Sequence, residues 1–393
     1  MSIRSVRYII FLRDVLILSV TSFGGPTAHL ALMIDMMVEK RGYLTQNDLL
    51  ELYALCQILP GPTSTQTITA IGFKIGGPGL AYLTLLLWAL PALTIMIAFG
   101  IMVNVLQDMQ ISLAFLKYLQ PIAIGIVAYS AYKITSSVVS TRTGLVLMLI
   151  SLVAAYLFRT PWAFPIMLLM GGSVTAFKYR QQPKQEKGPI KINWSNFILW
   201  ISVLVFAAVL GGVTQYLPIR LFENFYRNGS LIFGGGQVLV PLLYNEFVEF
   251  KGWLTSEEFL SGYGFVQALP GPLFSFSAYI GTVSMSEYTI WEQILGGLMA
   301  AAGVFLPGTF LIYFVIRFWE DLKKYRIVKA SLEGINAVSA GMVIAAAFIL
   351  FEPVESSFIN YFLMLATIGL MRFTRIPTPV IIIVGLVTGI IIH

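Results

Sequence analysis

Phe23-Gly24-Gly25-Pro26, running on through Glu39, Gly42, Leu44-Thr45, Tyr53 and Gln57 to Leu59-Pro60-Gly61-Pro62, decides how this chain is read, because the whole stretch occurs twice. At a constant offset of 210 residues and without a gap it returns as Phe233-Gly234-Gly235-Gly236 through Leu269-Pro270-Gly271-Pro272, with sixteen of 40 positions identical. The inner matches are Glu249, Gly252, Leu254-Thr255, Tyr263 and Gln267. The closing motif breaks helices for two reasons. Proline lacks the N–H and clashes with the preceding turn, and glycine reaches dihedrals closed to other residues.

Around these copies the composition is that of a chain in lipid. Of 393 residues 57% are hydrophobic and only 11% charged, and the mean hydropathy is +0.82, whereas ordinary soluble domains carry about a quarter charged residues. The net charge of +6 does not point to nucleic acid, because the basic residues fall in short connections between apolar runs, as the positive-inside rule places them. A single cysteine, Cys56, excludes an intrachain disulfide, and with His29 and His393 it supplies no metal-binding spacing. No cofactor is implied. Enzymes of the membrane interior need a nucleophile with its base, paired aspartates or a metal helix such as H-E-x-x-H; the chain has two histidines and none of these motifs. The N-terminus lacks a small-residue cleavage site and reads as a retained helix.

The expected fold is an all-α polytopic membrane protein of two repeats. Apolar runs fall at about 5–23, 26–39, 46–59, 62–75, 79–104, 114–135, 143–158 and 161–177. A helix of about 14 residues covers ~21 Å of a ~30 Å hydrocarbon core. The short arms on either side of each Leu-Pro-Gly-Pro therefore read as re-entrant hairpins, with capping boxes at Thr45/Asp48 and Thr255/Glu258 starting the first arms. The domains expected are 1–177, a cytoplasmic linker at 178–193, and 194–393. The second repeat is led by one extra apolar helix at 194–217, which inverts its topology. Loop charge agrees: 105–117 carries one basic residue, Lys117, and its counterpart 317–329 carries Arg317, Lys323, Lys324, Arg326 and Lys329. The N-terminus is then cytoplasmic and the C-terminus outside.

A helix broken inside hydrocarbon survives only where protein or water satisfies its backbone. Pro62 and Pro272 read as first helical positions, preorganised starts whose free N–H groups carry about half a positive charge. Two such ends brought together hold a small oxyanion. The substrate-binding candidates are Gly24, Gly25, Gln57, Pro60, Gly61, Pro62, Thr63, Ser64 and Thr65, and in the second copy Gly234, Gly235, Gln267, Pro270, Gly271, Pro272 and Ser275. The hydroxyls of Thr63, Ser64, Thr65, Ser275 and Ser277 either face substrate or bond back to their own helices. Gln57 and Gln267 either bind substrate or tie off carbonyls freed by proline. Asp14 and His29 are the candidates for ion coupling, set against a boundary ion pair for Asp14 and a packing role for His29. Lys74 is expected to snorkel, and Glu39 and Glu249 to pair at the surface with Lys40-Arg41 and Lys251.

The doubled openings and the doubled Leu-Pro-Gly-Pro, in register within one chain of this length, resemble the bacterial chromate ion transporter family in its long two-domain form. The specific likeness is confined to the two 40-residue blocks, and the second departs by having Gly236-Gln237 where the first has Pro26-Thr27. The resemblance implies export of chromate across the cytoplasmic membrane and chromate resistance, driven by the proton motive force or by exchange against an anion such as sulfate. The alternatives are a transporter of sulfate or another oxyanion, and an anion channel. The partners are then the oxyanion and the bilayer; the oligomeric state is open, a homodimer included.

Overall fold

A computed structural model describes residues 3–110, 114–138, 140–160, 162–177, 192–233, 236–322, 325–374 and 376–392. Linker residues 178–191, the candidates Gly234 and Gly235, and His393 lie outside them. The described residues are helical, without strands. The first half runs α1 (Ile3–Thr21), α2 (Gly25–Met33), a π-helical turn (Ile34–Lys40), α3 (Gln46–Ile58), α4 (Thr63–Asp108), α5 (Leu119–Val138), α6 (Arg142–Leu157) and α7 (Ala163–Ala176). After α8 (Ser195–Thr214), the same order returns as α9 (Leu217–Gly229), α10 (Gly236–Tyr244), a second π turn (Asn245–Phe250), α11 (Ser256–Val266), a 3-10 turn (Leu273–Ser275), α12 (Phe276–Val283) and α13 (Ile290–Val315). It closes with α14 (Trp319–Leu322), α15 (Arg326–Phe351), α16 (Phe358–Phe373) and α17 (Thr378–Ile392).

Local chemistry accounts for these boundaries. Both capping boxes form: the Thr45 hydroxyl accepts from the Asp48 amide and the Asp48 carboxylate accepts from the Thr45 amide, and Thr255 and Glu258 repeat the exchange. α4 is two helices joined at Gly77, whose φ of 76° and ψ of −167° precede Pro78, so the expected runs at 62–75 and 79–104 are both present. The two π turns, at matching places in the two copies, have no sequence signature and were not foreseen; such turns mark an inserted residue in a helix. Among the described residues four helices are long and apolar enough to cross a membrane: α4, α8, α13 and residues 330–351 of α15. Shorter apolar helices accompany them, among them α6, α7, α16 and α17.

Packing divides the chain differently from the duplication. One compact unit is built from 1–110, 193–231 and 268–317, the other from 111–192, 232–267 and 318–393, so each draws on both halves. Both Leu-Pro-Gly-Pro motifs fall in the first. Its interior includes Trp88, Tyr226 and Tyr279, all fully buried, and a buried amide pair in which Asn104 Nδ2 donates to Gln293 Oε1 at 2.9 Å.

The second unit is organised on α15, which packs against α5, α6 and α7. A Cβ placed on Gly334 would run into the Gly171 carbonyl oxygen, so α15 and α7 cross backbone to backbone, as small residues allow in membrane helices. Thr175 Oγ1 accepts from the Gly334 amide at 3.1 Å and Ser151 Oγ donates to the Val338 carbonyl at 3.0 Å. At the end of α15, Arg159 pairs with Glu352 at 2.6 Å and with Glu249 at 3.6 Å, and the guanidinium holds the Glu352 carboxyl below the usual range. Glu249 thus has Arg159 as partner and Lys251 pairs with Glu246 at 3.3 Å, correcting the expected Glu249–Lys251 pair. Gly334→Val forces these helices apart at an overpacking cost of about 1–3 kcal/mol. The expected result is a lower melting temperature of the detergent-purified protein, with Gly369→Val, at a glycine with open space around it, as the unperturbed control.

Candidate functional site

The first break ends α3 at Ile58 and restarts the chain as α4 at Thr63. Pro62, with ψ of 96°, stands outside the helix as its N-cap. It is not the first helical residue, as expected, because its ψ is still extended. The first helical bond runs from the Gln66 amide to the Pro62 carbonyl at 2.8 Å, so the amides of Thr63, Ser64 and Thr65 have no acceptor in their own helix. Pro272 is likewise an N-cap, with ψ of 129°. The second restart is tighter: the Ser275 amide already bonds the Pro272 carbonyl at 3.0 Å, leaving only Leu273 and Phe274 ahead of it. The two ends are therefore unequal.

Each tip rests on the long helix of the other repeat. Gln66 Nε2 donates to the Pro60 carbonyl at 2.8 Å and to the Gly308 carbonyl at 3.2 Å, and a Cβ on Gly61 would meet Gly308 Cα at 3.3 Å. Gly308 follows Pro307 in α13. At the second tip the Gly271 amide donates to the Ser22 carbonyl at 2.8 Å, and a Cβ on Gly271 would meet Ala92 Cβ at 3.3 Å. Ala92 follows Pro91 in α4. Both tip glycines hold positive φ, 118° at Gly61 and 104° at Gly271, and so need glycine twice over, for dihedral and for space.

One buried chain of contacts links the tips. Ser22, which accepts from Gly271, lies beside the His29 imidazole, neither of whose ring nitrogens makes a hydrogen bond of full geometry. The His29 ring stands edge-on to Trp88 with centroids 5.4 Å apart, and Trp88 Nε1 donates to Thr65 Oγ1 at 3.1 Å. Every residue from Thr63 to Thr69 is buried, a hydroxyl- and amide-rich strip within an apolar unit. In it Gln66 Oε1 and Thr69 Oγ1 are buried without a partner, as is Ser22 Oγ nearby. Unpaired acceptors and hydroxyls of this kind are costly unless something polar reaches them.

The unit thus brings together Pro60 to Thr65, Pro270 to Ser275 and His29, with Gly24 and Gly25 forming the positive-φ turn (91° and 77°) between α1 and α2. Other candidates are committed elsewhere. Ser275 and Ser277 donate to the Pro272 and Phe274 carbonyls, each at 2.8 Å, which is back-bonding. Gln267, in the second unit, donates to the Tyr263 hydroxyl at 2.7 Å, and Gln57 bonds Tyr53 in the matching way; both glutamines hold tyrosines, a third role beside the two expected. Asp14, fully buried, is held by Arg41 through Nε at 2.8 Å and Nη2 at 2.9 Å and accepts from the Tyr43 hydroxyl at 2.8 Å. Lys40 pairs with Asp35, so neither cation beside Glu39 pairs with it as expected. Lys74 pairs with Asp48 across the hairpin instead of snorkelling. Sequence reasoning missed Gln66, Ser22 and Trp88. A glutamine inside an apolar run is the signal that marks Gln66, and it was hidden because position 276 of the second copy is phenylalanine.

A family model described as chromate transporter matches residues 10–176 and 219–390. The chain is 27% identical to a probable chromate transport protein of Synechococcus elongatus, over 95% of this chain and 93% of that one. It is 25% identical to a chromate transport protein of Cupriavidus metallidurans, over 96% and 92%, and 24% identical to one of Pseudomonas aeruginosa, over 82% and 76%. No solved structure matches the chain. Valine at either tip glycine meets both the positive φ and the facing helix. Gly61→Val and Gly271→Val are each expected to lower the transport rate at least tenfold, equivalent to about 1.4 kcal/mol, while membrane yield is retained. Vesicle flux measured beside immunoblotting checks this, and normal flux in both removes the tips from the mechanism.

Proposed function

Because the chain belongs to the chromate transporter family and is a multi-pass membrane protein, we propose that it is a secondary active transporter that exports chromate across the cytoplasmic membrane and so confers resistance. The observation that carries this reading is the pair of broken helix ends in one compact unit, each seated on a proline-bearing helix of the opposite repeat. Discontinuous helices at a repeat interface are how secondary transporters present backbone dipoles to a substrate without a buried lysine. The first tip is the principal contact, since three amides and the Thr63 and Ser64 hydroxyls stand at its start. Chromate and sulfate share charge and shape, so sulfate is the natural competitor or exchange partner.

In this reading the repeats are inverted across the bilayer, with α8 the crossing that reverses the second, the hairpins re-entrant and the N-terminus cytoplasmic. His29 is the coupling group of choice, because its ring lies between the tips. Asp14, paired with Arg41 and accepting a hydrogen bond from Tyr43, serves to fix α1 against the turn that carries them.

Two measurements test these statements. Inverted vesicles should accumulate chromate when given a proton gradient or internal sulfate; no accumulation under either driving force overturns the reading, and steady single-channel current replaces it with a channel. In a Cys56→Ser chain, Asn47→Cys and Glu257→Cys occupy equivalent exposed positions at the starts of α3 and α11. An impermeant thiol reagent should label them from opposite sides of the membrane, and labelling from one side excludes inversion.

A further inference from the structure

In the first unit a cavity of about 320 Å³ is lined by Arg7, Tyr8, Tyr43, Leu44, Ile71, Lys74 and Ile75. Its charges do not cancel. Asp14 is matched by Arg41 and Asp48 by Lys74, whereas exposed Arg7 has no carboxylate partner among the described residues. Two phenols and an apolar wall of Ile71, Ile75 and Leu44 complete the lining. With Lys74 already paired to Asp48, the uncompensated charge of the lining is the Arg7 guanidinium, whose planar fork of donors suits a tetrahedral oxyanion.

The cavity's place relative to the tips gives it a role. Ile71 and Lys74 lie eight and eleven residues into α4, hence about 12 and 17 Å from the broken end at Thr63. α1 runs the other way beside it. A Cβ on Gly76 would lie 2.9 Å from the Tyr8 ring, while at the far end of α1 Ser22 accepts from Gly271. The same two helices therefore bound the cavity at one end and reach the tips at the other. Along α4 the partnerless Thr69 Oγ1 and Gln66 Oε1 fall between the two.

We propose that this cavity is a capture site for tetrahedral oxyanions, separate from the helix tips and loaded before them, with Arg7 as its principal specificity-determining residue. The proposal deepens the transport reading and rests on it, so its test has one arm that needs no transport. The first arm is kinetic. Arg7→Gln should raise KM for chromate about tenfold or more at low salt, the loss of one charge-assisted contact, flatten the salt dependence of the initial rate, and leave Vmax within about twofold, a margin small beside that tenfold step. Arg7→Lys should recover the salt dependence. Gly61→Val instead lowers Vmax, so failure at the tips and failure at the cavity are told apart.

The second arm is protection. In the Cys56→Ser chain, sulfate should slow modification of Ile75→Cys by an anionic methanethiosulfonate, and Arg7→Gln should remove the protection. Unchanged KM together with sulfate-independent modification overturns the proposal. The phosphate of an anionic lipid carries the same chemistry, so both arms are run in phosphatidylcholine vesicles with and without phosphatidylglycerol. Arg7 effects present in phosphatidylcholine alone support a free oxyanion, and effects confined to phosphatidylglycerol assign the cavity to lipid and overturn the proposal.

Discussion

Peptide groups stranded by a helix break in apolar surroundings must be satisfied, and the first unit is arranged around that need. A proline removes one bond of the helical ladder and a glycine lets the chain turn, but the groups so released have no water to fall back on. At the first tip Gln66 answers for the Pro60 carbonyl and binds Gly308 with the same amide nitrogen. At the second, Ser22 answers for the Gly271 amide. Each repair reaches across to another element, so satisfying the break also fixes where the tip sits. The amides left over at Thr63, Ser64 and Thr65 stand at the start of α4 without an acceptor in their own helix.

The two copies do not do this equally. The first restart is a full α-helical turn with three amides that have no acceptor in their own helix, and the second is a 3-10 turn whose one hydroxyl, on Ser275, bonds back to the Pro272 carbonyl, as Ser277 of α12 does to Phe274. The asymmetry follows from sequence: Thr63-Ser64-Thr65-Gln66 is replaced by Leu273-Phe274-Ser275-Phe276. Duplication supplied two frames, and substitution left one of them richer in donors.

Much of this was legible in the chain. Local signals translated directly: the capping boxes set the starts of α3 and α11, the separate apolar runs at 62–75 and 79–104 matched the two parts of α4, and the duplicated Pro-Gly-Pro located both breaks. What escaped was non-local. Arg41 meets Asp14 across 27 positions, and Lys74 finds Asp48 across 26, distances at which neighbouring charge in sequence misled the pairing for Glu39 and Glu249. Gln66 escaped because repetition was the guide and its counterpart is aromatic. The π turns escaped because an extra residue in a helix leaves no compositional trace. Assigning the prolines to the first helical position failed by one residue, the distance over which ψ alone decides.

The exchange of supports between the tips bears on how such a chain can be divided. Gly61 is backed by α13 and Gly271 by α4, so a polypeptide ending near the linker at 178–191 would carry a bent hairpin with nothing behind it. Halves made from separate genes would have to meet in the bilayer and complement one another, and neither would be expected to work or to persist without its mate.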